Sequence, residues 1–113
     1  MSYGMNTLTL AIGDTVTNAV QIPPRHGGVG VWIPIGDTIA VVYAAVSYDD
    51  GTTYVDVIDP ADGQALVLLD AVATHGGYVD LGVYMGGFAG KFRLRYSATQ
   101  TAAQVATLYV EEV

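Results

Sequence analysis

The chain of 113 residues contains no cysteine. A disulfide framework, a thiolate zinc site and a cysteine nucleophile are therefore excluded, and stability must come from packing or from self-association. Basic residues are almost as scarce, with 4 Lys and Arg against 11 Asp and Glu, for a net charge of -7. Phosphate backbones are bound by a Lys/Arg footprint, so nucleic acid is not an expected partner. The same deficit argues against an anionic membrane surface. Charged residues reach only 13% of the chain, where roughly 25% is usual, which suggests that part of the surface is not meant to stay in water. No apolar run approaches the ~20 residues that span a bilayer. The start, MSYGMNTLTL, lacks the basic head and apolar body of a secretion signal, so the protein is expected to be made and kept in a cytoplasm, or released without a secretion signal.

What is abundant is apolar: 51% of residues are hydrophobic, with 8 tyrosines and 14 glycines. The stretch IAVVYAAVSYDDGTTYVDVID, residues 39–59, organises the reading. Its first half, residues 39–48, is apolar at nearly every position; its second, residues 53–58, alternates Tyr54, Asp56 and Ile58 with Val55 and Val57. Asp50-Gly51 between them suits the positive φ angles of a type I′ hairpin turn. A strand apolar on both faces must be covered twice, and a lone small sandwich covers it once. The second cover is expected to be another protein.

Other strands are expected over residues 6–12, 15–22, 29–35, 64–69, 78–84, 91–97 and 103–110, separated by Gly, Pro and Asp turns. In the first, Leu8, Leu10 and Ile12 share a face; in the second, Val16, Val20 and Ile22 point inward and Thr17 outward. Trp32 falls opposite Val29, Val31, Ile33 and Ile35, away from the core. Over residues 78–84, Val79, Leu81 and Val83 face in. KFRLRYS sorts Phe92, Leu94 and Tyr96 to one side and Lys91, Arg93 and Arg95 to the other. Residues 1–5 read as an arm, residues 6–113 as one all-β domain, an antiparallel β-sandwich of about eight or nine strands. One helical turn is expected at residues 70–74.

Candidate chemistry is thin. His26 and His75 lie in His-Gly-Gly loops without the partner spacing of a metal site. Asp56, Asp59 and Asp62 offer the oxygen ligands that calcium takes, but turn formation explains them and their spacing is not that of an EF-hand. Ser2, Ser47 and Ser97 lack a nucleophile elbow. A carboxylate pair for glycoside hydrolysis is not ruled out by sequence, yet a chain this short leaves little room for a cleft. Catalysis, a metal and a cofactor are not expected. The Lys91, Arg93, Arg95 row is either a solvated face or pairs with acids such as Asp56, Asp80 or those of a neighbouring subunit. Trp32, Ile39, Val41, Tyr43, Lys91, Arg93 and Arg95 are the candidate interface. Tyrosines aligned on one sheet would instead suit the stacking of sugar rings.

The succession of TLTLAIGDTVTNAVQI (residues 7–22), the VSYDDGTTY hairpin (residues 46–54), FRLRYS (residues 92–97) and a last apolar strand bearing Leu108 and Val110 resembles small jelly-roll structural proteins of tailed bacteriophages, among them capsid decoration (cement) proteins. Tyr54 stands where tryptophan is commoner in such hairpins, and the chain is unusually acidic. The resemblance implies a jelly-roll sandwich, a homotrimer, binding to the major capsid protein, and a place on the virion surface after synthesis in the host cytoplasm. Tail or baseplate proteins and carbohydrate-binding modules share the fold and are the alternatives.

Overall fold

A computed structural model describes residues 2–85 and 88–112. The strands are β1 (Ser2–Leu10), β2 (Val20–Ile22), β3 (His26–Ile33), β4 (Val42–Ser47), β5 (Val55–Asp56), β6 (Ile58–Asp59), β7 (Gln64–Ala65), β8 (Val67–Leu69), β9 (Gly77–Asp80), β10 (Gly90–Tyr96) and β11 (Gln104–Glu112), with one short helix, α1 (Gly82–Met85). Four strands form one sheet in the order β1-β11-β3-β9; β2-β10-β4-β5 form the other, with β8 also on β4, and β6 pairs β7 in a small hairpin. Every pairing is antiparallel. First and last strands lie side by side in each sheet, β1 on β11 and β2 on β10, which is the jelly-roll arrangement and leaves an all-β sandwich.

Alternation decides which side chains meet between the sheets. Leu8, Leu10, Val29, Val31, Ile33, Leu108 and Val110 come from one sheet; Ile22, Val42, Ala44, Val46, Phe92, Leu94 and Tyr96 come from the other. Phe92, Leu94 and Tyr96 are buried together, as KFRLRYS requires. The first strand begins at Ser2, so residues 2–5, read from sequence as an arm, pair with β11 along an unbroken register from Ser2↔Glu112 to Leu10↔Gln104. Tyr3 and Met5 alternate with Ser2 and Gly4, but four residues are too short to show a period, and it is the partner strand that supplies the hydrogen bonds.

Several boundaries differ from the alternation pattern. Ile12 and Ile35 lie beyond their strands and are exposed. Val83 does not face inward: the chain leaves β9 at Asp80 and turns into α1, where Val83 is 89% exposed. Residues 70–74 make the single turn expected of them, with Thr74 N and His75 N both donating to Ala71 O, and no longer helix forms there. Residues 15–17 touch β10 at the Val16↔Arg95 bridge, and Thr17 points inward. Its hydroxyl accepts a hydrogen bond from Leu94 N and donates to Asn18 O, which is why a polar side chain can be buried there.

The Asp50-Gly51 turn has φ values of 59° and 87°, as a type I′ turn needs. The ladder stops at Val46↔Val55, and side chains hold the loop beyond it. Ser47 Oγ, buried, accepts from Gly51 N at 2.9 Å and donates to Asp49 Oδ1 at 2.6 Å; Asp49 Oδ1 also accepts from Thr53 N at 2.8 Å. The Ser47 hydroxyl and then the Thr53 N–H stabilise the carboxylate and pull Asp49 from 3.8 to about 2. A depressed pKa stabilises the fold above the unfolded value and loses that contribution as the acid protonates. The hairpin is therefore expected to hold above about pH 4 and to loosen as pH falls toward 2. Amide shifts of Gly51 and Thr53 should titrate with a midpoint near 2, moving upward in Ser47→Ala.

Candidate functional site

Strand register sorts the outward residues of the four-stranded sheet into rows. Thr7, Thr107, Trp32 and Tyr78 lie across the four strands in one row; Met5, Tyr109, Gly30 and Asp80 lie in the next. Met5 is 70% exposed, Tyr78 59%, Val105 48% and Trp32 44%. The Tyr78 ring leans across Gly30 toward Tyr109, with ring centroids 6.2 Å apart. A Cβ on Gly30 would overlap the Tyr78 ring and hydroxyl, so glycine is what lets the tyrosine lie down on the sheet. The result is an aromatic surface whose middle carries no charge, with Asp80 and Glu111 toward one end. Scattered apolar residues on a surface need no explanation, but contiguous aromatic ones mark a binding face.

The outer face of the five-stranded sheet is built differently. Arg93 stacks on Tyr54 with its guanidinium carbon 3.7 Å from the ring centre, and Arg95 stacks on Tyr43 at 4.1 Å. Arg95 also forks onto Asp56, Nε to Oδ1 at 3.1 Å and Nη2 to Oδ2 at 3.0 Å. Asp56, one of the expected partners, is thus found; Asp80 belongs to the other sheet. Arg93 Nε is buried with no hydrogen-bond partner among the described residues, as fits a group held by stacking. These side chains cover much of β4, whose Ala45 is 3% exposed. The expectation that another protein must shelter the second face of β4 is corrected here: the chain's own arginines and tyrosines do it.

The candidate interface therefore does not gather in one place. Trp32 lies on the four-stranded sheet, whereas Tyr43, Lys91, Arg93 and Arg95 belong to the five-stranded one. Ile39, 74% exposed, and Val41, half-buried, precede β4 rather than belonging to it. Sequence reasoning placed Trp32 correctly on an outer face but missed Tyr78, Tyr109 and Met5. Parity within a strand was readable for Tyr109; which strands stand beside Trp32 was not.

Asp56→Asn keeps the shape of the pair and removes its charge. Both partners are about a third exposed, so solvent screens the interaction and the expected loss is below about 1 kcal/mol. Arg95→Ala should cost more, because it also uncovers Tyr43. Chemical denaturation of the two variants checks the order.

No group of three or more His, Asp and Glu able to hold a metal ion occurs among the described residues. Asp59 accepts from Ala61 N and Asp62 from Gln64 N, so both carboxylates serve the turn, and Asp56 is engaged by Arg95. His75 lies 3.6 Å from Asp70 on the surface, and His26 Nε2 meets Phe88 O at 2.9 Å. Two shallow depressions of about 240 and 250 Å³ share Val46, Tyr48 and Val55. Both are smaller than the roughly 300–1,000 Å³ of small-molecule sites.

No protein-family model and no curated protein matches the chain.

Proposed function

We propose that this chain is a structural subunit of a tailed-phage virion, and more narrowly a head decoration protein that binds the coat shell. The observation that carries the reading is the aromatic face bearing Met5, Trp32, Tyr78 and Tyr109, uncharged at its centre on a chain of net charge -7. Such a face suits contact with protein: aromatic anchors supply large contact areas, and a charge-poor core is what stable interfaces share. The jelly-roll strand order agrees with the resemblance noted in the sequence. Function would be mechanical. Copies on a shell engage several coat subunits, weak contacts add through multivalency, and binding only to the intact shell raises the free energy of opening it. Fractionation of virions into heads and tails, followed by mass spectrometry, tests it. The protein should follow heads; recovery with tails would assign it to the tail or baseplate, and absence from particles would overturn the reading.

A second reading has a specific observation behind it. Trp32 and Tyr78 stand side by side on an open sheet, a geometry that suits stacking of sugar rings. A glycan array with hits abolished by Trp32→Ala would favour a carbohydrate-binding module instead.

A further inference from the structure

Sheet edges are where strands recruit other strands, and folded proteins normally blunt them with short strands, charges, prolines or bulges. The edges here are treated unequally. β2, β5, β8 and β9 run for only three, two, three and four residues. β1 runs for nine, with no charged residue, no proline and an uninterrupted register against β11. One device protects it. Asn18 folds back as a surrogate strand, its Oδ1 accepting from Thr9 N at 2.7 Å and its Nδ2 donating to Thr7 O at 3.1 Å. Those contacts also fix the geometry: the peptide groups of Thr7 and Thr9 face away from β11, and by strand alternation so do those of Tyr3 and Met5. The N–H and C=O of Met5 have no hydrogen-bond partner among the described residues. Asn18 covers half of the edge and leaves the other half open.

We propose that the open half of β1, at Tyr3 and Met5, pairs with the same segment of a second copy of this chain. The two strands run antiparallel about a two-fold axis near Gly4, each copy giving and taking hydrogen bonds at Tyr3 and Met5. The four-stranded sheets of both copies then join into one continuous sheet. Self-complementarity selects the partner. β1 itself carries no charged residue, so two copies meet along this edge without opposing charges on the paired strands, while Glu111 and Glu112, opposite Tyr3 and Ser2 on β11, stand one strand further in on each copy and keep the pair weak. The pairing is isologous, so it closes at two copies and does not propagate. The Asn18 cap limits its length and keeps it weak.

This pairing stands independently of the virion reading, and solution mass separates the two. Sedimentation velocity over a concentration series should show a reversible pair. Met5→Pro removes a donor that β11 does not use, so the fold should persist by circular dichroism while the dissociation constant rises at least roughly tenfold. If proline disturbs the strand, Met5→Lys sets like charges across the axis and should separate the copies just the same. Asn18→Ala frees Thr7 O and Thr9 N, so that the axis can move to Asn6 and set Tyr3 against Thr9 and Met5 against Thr7 of the other copy, and it should tighten the pair. The amide of Met5 should exchange with solvent more slowly as concentration rises. A single chain at every concentration overturns the proposal, as does a pair indifferent to Met5→Pro and Met5→Lys. A trimer overturns it too, while leaving a decoration role intact.

Discussion

Trp32→Ala is expected to weaken capture by the virion shell by at least about thirtyfold, the effect of losing a ~2 kcal/mol aromatic anchor. Folding should be nearly unaffected. Trp32 projects from β3 on the face opposite Val31 and Ile33, is 44% exposed, and belongs to no buried cluster. Its neighbours across the sheet, Thr107 and Tyr78, remain paired through their backbones when the indole is gone. Co-sedimentation of labelled protein with particles, beside a thermal melt of the variant, separates the two quantities. A large fall in melting temperature with unchanged capture would mean that the indole serves the fold. The combination with Tyr78→Ala should fall short of additivity, since the two rings occupy one row.

The opposite pattern is expected for Phe92→Ala. Phe92 lies on β10 between Val20 and Val46, fully buried at the centre of the five-stranded sheet. Removing the ring leaves a cavity that paired strands on both sides cannot collapse, and such changes cost about 3–5 kcal/mol. Against a typical total of roughly 5–15 kcal/mol this removes a large share of the stability, and the melting temperature should fall by roughly 10–20 °C. Leu94→Ala, two residues along the same face, should behave alike. A fall of only a few degrees would mean that the two sheets are not closely packed at this point.

The parts of the fold that were legible are those where alternation is strict and the strand is long. KFRLRYS reads unambiguously because every second residue is large and apolar and the others are basic, so one register fits. Asp50-Gly51 reads as a turn because few other dipeptides tolerate two positive φ values in succession. Residues 53–69 were harder. They were expected as two strands and form β5, β6, β7 and β8, because pieces of two or three residues are too short to show a period. Thr17 and Gln100 are buried polar residues whose partners lie far along the chain: Leu94 for the first, Asp37 and Thr38 for the second. Composition gives no sign of such contacts. Val83 followed the apolar alternation of residues 78–84 and was still misplaced, since α1 interrupts the strand after Asp80.

The site was half legible for a related reason. A strand's parity says that Trp32 faces outward, but the value of that position comes from Tyr78, Tyr109 and Met5, which lie on three other strands of the sheet. Likewise the basic row of β10 is visible in the sequence, and Asp56 was foreseeable as a partner, whereas stacking on Tyr43 and Tyr54 needs the sheet order. That difference changes the functional argument. The expected demand for an external cover shifts from β4, which the chain shelters itself, to the outer surface of the four-stranded sheet.

Trp32 is the single tryptophan of the chain, which makes that surface directly observable. With 5-fluorotryptophan incorporated, one fluorine resonance reports the indole in free protein and in protein added to purified heads. In free protein, soluble paramagnetic relaxation agent should broaden the signal readily. On binding to heads, the resonance should shift and lose that access. A fluorine signal with unchanged position and unchanged access in the bound state would contradict the assignment of this face as the contact surface.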